Sequence, residues 1–122
     1  MVRELKQLLA HMEPDLDERA YVFVVTSDSV IKLEHDAFAV IREAEGTTLI
    51  LEQVRADVAR LSYAYVAARI TLRVHSDLAA VGLTAAVSRV LAEAGISCNV
   101  VAGYFHDHLF VPYEQREQAM IC

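Results

Sequence analysis

The sequence predicts an α+β sandwich, in which an antiparallel sheet carries helices on one face. Residues 67–75 alternate apolar with polar side chains, which is typical of a strand with one buried face. Residues 83–94 carry apolar side chains at helical spacing, as in a helix lying on a sheet. Short strands joined by tight turns occur on both sides of these elements. The 122 residues have the length of one domain and can bury a core.

The first third of the chain predicts a helix, a loop and a buried strand. Leucines at helical spacing predict an amphipathic helix over residues 4–12, which Pro14 ends. Residues 15–18 predict an acidic loop. Residues 21–25 are apolar at every position, so we expect a strand covered on both faces.

A short hairpin and a helix are predicted next. Residues 30–36 are an ambiguous connection, for which a helical turn is one interpretation. Residues 38–42 and 48–52 predict two strands, with Gly46 where the hairpin needs a positive φ. After the hairpin, the buried face of a helix is predicted from the spacing of Val54, Val58 and Leu61.

In the second half of the chain, glycine and proline residues mark the ends of the predicted elements more clearly. After the loop 76–82 and the helix 83–94, Gly95 ends the helix and Ile96 is placed for the apolar contact of a glycine cap. Strands over 98–105 and 108–111 predict a hairpin that turns at His106-Asp107. Pro112 then begins a last helix.

An internal repeat relates the two halves. Val25-Thr26-Ser27-Asp28 and Val74-His75-Ser76-Asp77 share valine, serine and aspartate, and each ends a predicted strand. The second copy reads strand–helix–strand–strand–helix, and the first reads the same with its early helix shortened. This order is the split βαβ, ferredoxin-like plan.

With this plan the chain resembles the ACT-domain family, most closely small stand-alone bacterial ACT proteins related to the aspartate kinase regulatory and CASTOR-type domains. The resemblance is carried by HSDLAAVGLT, EAGISCNVVAGY and FHDHLFVP, and by ELKQLLAHMEP and AVIREAEGTTLILE in the first half. It implies one ACT-like domain over residues 1–122, built from two degenerate ACT-type repeats at about 20–62 and 66–122.

The same resemblance implies where a ligand lies. In relatives, the ligand contacts the loop after the first strand and the second strand of a neighbouring ACT unit. Carried over, this indicates residues 76–84 and 96–101, although the loop lacks the Asp-x-Pro-Gly form of many ACT domains. The candidate ligand-binding residues are Ser76, Asp77, Val81, Gly82, Leu83, Thr84, Ile96, Asn99 and Val100.

The loop has suitable chemistry for an amino acid. A helix N-terminus offers unpaired N–H groups and partial positive charge to a carboxylate. Gly82 permits close approach, Thr84 adds a hydroxyl, and Asp77 suits an ammonium group. Alternatively, Asp77 or Thr84 only caps the helix.

Asn99 is a polar residue in an otherwise apolar strand. Its amide can bond a ligand, or it can satisfy a backbone group at an edge or dimer seam, and the sequence leaves both open.

Metal binding and catalysis are disfavoured. His106 and His108 share a strand face only if both lie in the strand, and no local cluster completes a zinc set, so we expect neither metal nor cofactor. His75, Ser76 and Asp77 are adjacent, and neighbouring strand residues point to opposite faces, so they do not form a catalytic triad. We therefore expect no enzyme activity.

The composition limits the partners. A net charge of −6 without a basic block argues against nucleic acid and anionic membranes. A hydrophobic content of 55% with mean hydropathy +0.30 predicts a homodimer. Two cysteines without a disulfide framework indicate the cytoplasm. Together with these limits, the resemblance implies a regulatory or sensing module that binds a small molecule, with an amino acid as the expected ligand, and a ligand-free interaction and dimerisation module is the alternative.

Overall fold

The structure is a computed structural model and describes residues 12–27, 31–73 and 83–121. Within these residues six strands form one antiparallel sheet in the order β2-β3-β1-β4-β6-β5. The strands are β1 (Pro14–Thr26), β2 (Ala39–Glu43), β3 (Gly46–Glu52), β4 (Val66–Leu72), β5 (Asn99–Ala102) and β6 (Asp107–Pro112). The helices are α1 (Ile31–Asp36), α2 (Gln53–Val58), α3 (Leu83–Glu93) and α4 (Arg116–Met120), with a 3₁₀ turn at Tyr113–Gln115.

The chain divides into two compact units. The inner unit is Arg19–Ala67, and the outer unit combines Met1–Glu18 with Ala68–Cys122. Both β1 and β4 contain the residue at which the chain passes from one unit to the other. The two-repeat, ferredoxin-like prediction is confirmed in this strand and helix order.

In the outer unit, the strands follow the order β1-β4-β6-β5. β4, β5 and β6 supply the first, second and third strands of the ferredoxin-like plan, and the beginning of β1 supplies the fourth. Beside β4, the Arg73 N–H donates a hydrogen bond to the Glu13 carbonyl, with an N···O distance of 3.2 Å. The fourth strand of this unit therefore comes before its first strand in the sequence.

The core of the outer unit lies between α3 and one face of the sheet. Ala68, Ile70 and Leu72 alternate along β4 and pack with Val87 and Leu91 of α3, as the predicted alternation requires. The other buried members are Met12, Ile96, Leu109, Val111 and Ala119 of α4. The helices α3 and α4 thus cover the same face of the sheet.

α3 ends in a Schellman motif at Gly95. The Ile96 N–H donates to the Leu91 carbonyl at 2.9 Å, and the Gly95 N–H donates to the Ala92 carbonyl at 3.0 Å. Gly95 has φ +77°, a conformation that glycine adopts without a steric penalty. Ile96 and Leu91 both lie in the core, so the predicted glycine cap and its apolar contact are confirmed.

The inner unit contains the strand order β2-β3-β1. Val22 and Val24 of β1 pack with Leu49 and Leu51 of β3, and Ala56 of α2 covers them. The hairpin between β2 and β3 has Gly46 opposite Glu43, at φ +154°. The predicted hairpin is confirmed, and the connection before it, which the sequence left ambiguous, contains the helix α1.

The acidic loop predicted at residues 15–18 is wrong, because these residues belong to β1. Asp15 lies 2.8 Å from Arg73, and Asp17 lies 2.7 Å from Arg69. The partners of these carboxylates are arginines more than fifty positions later in the chain. The local sequence does not reveal such distant partners, so it predicted a loop for this acidic segment. The predicted helix at residues 4–12 lies outside the described residues, apart from Met12.

The predicted buried face of the helix after β3 is also wrong. Val54 and Val58 are 70% and 81% exposed, whereas Ala56 is completely buried. The helix ends at Val58, so Leu61 does not continue its face. Arg60 has φ +57°, and the Leu61 N–H donates to the Ala56 carbonyl, which closes the turn.

The last hairpin turns earlier than predicted. Ala102 pairs with Asp107, so the connection is residues 103–106 and Asp107 lies in β6. A Cβ on Gly103 would lie 3.0 Å from the His106 carbonyl oxygen, so a larger residue at this bend would require the neighbouring backbone to shift. The Gly103 N–H donates to that carbonyl at 2.9 Å. Tyr104 and Phe105 are therefore turn residues rather than strand residues.

Candidate functional site

The predicted ligand loop lies largely outside the described residues. Ser76, Asp77, Val81 and Gly82 fall in the undescribed range 74–82. α3 begins at Leu83, and Thr84 is exposed in its first turn. These residues are followed in the sequence by an 11-residue helix, and this helix was predicted.

The remaining predicted residues lie at or beside β5. Ile96 is 2% exposed and belongs to the core of the outer unit. Asn99 is exposed opposite Phe110, and Val100 is half-buried opposite Leu109. Since neighbouring strand residues point to opposite faces, Asn99 and Val100 do not share a face. Of the three, Asn99 is the side chain available to a ligand or to a partner.

A half-buried polar cluster lies on the face of the outer unit's sheet that is opposite to α3, and it was not predicted as a site. The Arg69 guanidinium donates to Asp17 at 2.7 Å, and these side chains are only 17% and 14% exposed. Next to Arg69 on this face of β4, the Thr71 hydroxyl lies 2.9 Å from His108 Nδ1, and Thr71 is 8% exposed. The alternation of β4 identified Arg69 and Thr71 as its polar face. Nothing local marked Asp17 as their neighbour.

The electrostatics of this cluster favour a neutral imidazole. Burial lowers the pKa of His108, and the nearby Arg69 and His106 lower this pKa further. Asp107 acts in the opposite direction but is the smallest contribution. The cluster therefore combines one compensated ion pair with one uncharged hydrogen-bonded pair, and this arrangement fits a structural role.

The remaining candidates for metal binding or nucleophilic chemistry are the histidine and cysteine side chains of the described residues. Among them, no group of three or more His, Cys, Asp or Glu side chains is placed to hold a metal ion. Cys98 is a free thiol, and burial raises its pKa, which disfavours the nucleophilic thiolate. His106 Nδ1 is buried without a hydrogen-bond partner.

A groove between α1 and α2 of the inner unit was also not predicted. Its volume is about 350 Å³, within the lower range of small-molecule pockets. The Arg55 guanidinium lies 3.6 Å from the Asp36 carboxylate, and both residues line the groove. The lining residues are Lys32, Leu33, Asp36, Val54, Arg55, Val58 and Ala59. The sequence analysis expected Val54 and Val58 to be buried, and it therefore did not predict that they line a surface groove.

The described helices are all too short or too polar to span a membrane. This finding is limited to the parts of the chain that the structure describes.

Comparison with known proteins gives matches at the level of family and fold. Sequence models of the ACT domain match residues 2–68 and residues 68–122. A Vibrio cholerae protein of unknown function, described as a possible transport protein, is 45% identical. The match covers 98% of this chain and 92% of that one, with a TM-score of 0.85.

A more distant match is the structure of the aspartokinase alpha and beta subunits. It is 14% identical, covers 87% of this chain and 90% of that one, and has a TM-score of 0.55, so it indicates a shared fold. A search of curated proteins gives no significant match.

Proposed function

Because the chain belongs to the ACT domain family, we propose that it is a non-catalytic regulatory module that binds an amino acid. ACT domains are in general regulatory modules that bind small ligands. The observation that carries the proposal is that two ACT matches together span residues 2–122. The proposal includes a homodimer in the cytoplasm, without a cofactor or a metal.

The proposed ligand site combines the loop Ser76–Thr84 with the second strand of a neighbouring ACT unit. Support comes from α3, whose first turn begins at Leu83, within this stretch. The N–H groups of a first helical turn have no partners within the helix and attract a carboxylate. Support also comes from Asn99, which is exposed on the second strand of the outer unit and offers an amide to a polar ligand.

A thermal-shift screen of the twenty amino acids tests this function. A ligand present at about 100 times its Kd stabilises the folded chain by about 2.7 kcal/mol. For a chain of this length, that stabilisation corresponds to a rise in Tm on the order of 10 °C. No rise with any amino acid at millimolar concentration would contradict the proposal.

A pair of variants tests whether the ligand binds at the loop. Gly82→Leu should abolish the ligand-induced rise in Tm, because the added side chain blocks close approach to the backbone. Ala92→Leu adds a larger side chain at an exposed position of α3, and it should keep the full rise. Equal responses of the two variants would exclude this loop as the site.

A ligand-free interaction module is the second candidate. It is favoured by the exposed apolar side chains of the inner unit, Ile31, Val54 and Val58, of which two are 81% exposed. This function predicts that no metabolite changes the Tm and that Gly82→Leu leaves partner binding unchanged. Binding of a partner by the Gly82→Leu variant, together with an empty screen, would favour it over the amino-acid site.

A further inference from the structure

The groove between α1 and α2 has apolar walls that solvent reaches. Val54 and Val58 are four positions apart, so they lie on the same side of α2, and both are largely exposed. Leu33 of α1 is half-buried and packs against the core of the inner unit. All three side chains line the groove, whose volume is about 350 Å³. The groove therefore offers an apolar surface to a small molecule.

Two cationic side chains of the groove have incomplete ionic contacts. The Arg55 guanidinium lies 3.6 Å from the Asp36 carboxylate, a distance that is too long for a hydrogen bond. The Arg55 side chain is 56% exposed, so water reaches its N–H groups. Lys32 makes no ion pair within the part of the chain that the structure describes. Both cations can therefore bind an anion without losing a side-chain hydrogen bond that the structure shows.

The charge of this groove is opposite to the charge of the chain. Among the described lining residues, Lys32 and Arg55 carry two positive charges and Asp36 carries one negative charge, which leaves a net charge of +1. The whole chain carries −6. A monoanion balances the lining, and guanidinium and ammonium groups are suitable hydrogen-bond donors for a carboxylate. The groove is therefore complementary to a molecule with one carboxylate and an apolar body.

We propose that the groove binds a short aliphatic monocarboxylate. The carboxylate binds to Lys32 and Arg55. The hydrocarbon chain contacts Val54 and Val58 and removes part of their apolar surface from water. A ligand that also carries an ammonium group is disfavoured, because this second charge lies close to two cations while Asp36 is already paired with Arg55. The site therefore selects a carboxylic acid over the amino acid of the same carbon skeleton.

This site goes beyond the proposed function and does not depend on it. The described residues that line the groove all belong to the inner unit. The proposed amino-acid site uses residues 76–84 instead, and none of its described residues lines the groove. The two sites also differ in the charge of the ligand that they favour. A chain with both sites responds to two classes of small molecule.

A nuclear magnetic resonance titration at neutral pH tests the inference with three matched compounds. The probe is 4-methylpentanoate. Leucine has the same carbon skeleton with an added ammonium group, and 4-methylpentan-1-ol lacks the carboxylate. We expect the probe to shift the backbone amide signals of residues 31–36 and 53–59 in a saturable way. Its Kd at this groove should be at least about tenfold lower than the Kd of leucine or of the alcohol.

Variants of exposed residues identify the groups that bind the probe. Arg55→Gln removes one cation of the groove and should raise the Kd of 4-methylpentanoate by about tenfold. The matched control is Arg60→Gln, which removes the same charge from an exposed residue outside the described lining and should leave the Kd within about twofold. Lys32→Gln repeats the test from α1, and Ala59→Leu fills the groove and should abolish binding. The amide spectrum identifies which variants are folded, and only folded variants are compared.

Three results would overturn the inference. One is the absence of saturable shifts in residues 31–36 and 53–59, which leaves the exposed valines to the ligand-free interaction module. Another is equal affinity of the groove for the probe and for leucine or the alcohol. The last is an unchanged Kd in the folded Arg55→Gln and Lys32→Gln variants. The amino-acid site is tested separately by the thermal-shift screen and Gly82→Leu, so failure of one site is distinguishable from failure of the other.

Discussion

The acidic segment of β1 leads to a prediction with an internal control. Asp15 and Asp17 lie on the same face of one strand. Asp17 pairs with Arg69 of β4, and Asp15 pairs with Arg73, the residue directly after β4. They differ in burial. The Asp17 and Arg69 side chains are 14% and 17% exposed, whereas the Asp15 and Arg73 side chains are 52% and 56% exposed. The variants Asp17→Asn and Asp15→Asn therefore remove the same charge from two different environments.

Burial sets the expected magnitudes. An ion pair that solvent reaches contributes between about 0 and 1 kcal/mol, so Asp15→Asn should cost less than about 1 kcal/mol. Removing one partner of a fully buried pair costs about 3–5 kcal/mol, because the other charge stays buried without compensation. Since some solvent reaches Arg69, we expect Asp17→Asn to cost about 2–3 kcal/mol.

Urea denaturation at neutral pH measures both costs as changes in the free energy of unfolding. At 0.5 M NaCl the cost of Asp15→Asn should shrink further, while the cost of Asp17→Asn should change little, because salt screens exposed charges more than buried ones. Equal costs for the two variants would refute the placement of residues 15–18 in a strand beside β4. An Asp17→Asn cost under 0.5 kcal/mol would refute it as well.

Three further outcomes follow from other parts of the structure. Thermal unfolding of Leu91→Ala should show a loss of about 2–5 kcal/mol from the outer core, whereas Val54→Ala, at a 70% exposed position, should stay within about 0.5 kcal/mol of the wild type. Gly95→Ala should lose about 1 kcal/mol in urea denaturation, because alanine is strained at φ +77°, and an unchanged midpoint would contradict the Schellman cap. The pKa of His108 is lowered in the folded chain, so on acidification the unfolded chain binds this proton first. The free energy of unfolding should therefore decrease as the pH is lowered from about 6.5 to the folded-state pKa. His108→Gln should flatten this part of a pH–stability curve.

The sequence predicted best where the physical cause is local. Gly46 and Gly95 sit at positive φ, as the hairpin and the helix end require, and both turns are where the pattern placed them. The apolar stripe of α3 was equally readable, since Val87 and Leu91 meet the sheet at helical spacing. Local chemistry was therefore sufficient for these elements.

Distant partners explain what was missed. Asp17 reads as part of an acidic loop until Arg69, 52 positions away, is placed beside it. Val54 and Val58 read as the buried face of a helix, but α2 turns the small Ala56 to the core instead. Burial depends on which neighbouring surface a helix meets, and short apolar patterns do not carry that information.

The candidate site was also predicted only in part. Its loop was predicted from resemblance and from the helix that follows, and residues 74–82 lie outside the described part of the chain. β5 was predicted as a strand from its apolar run. The exposed rings of Tyr104 and Phe105 were not predicted, because the turn was expected at His106-Asp107 and occurs at residues 103–106.

The regulatory function is tested most directly by isothermal titration calorimetry of the amino acid that shifts the Tm most. We predict saturable binding with one ligand site per chain, which the Gly82→Leu variant loses and the Ala92→Leu variant keeps. Absence of binding heat for every amino acid at millimolar concentration, from a folded wild-type chain, would contradict an ACT module that senses amino acids.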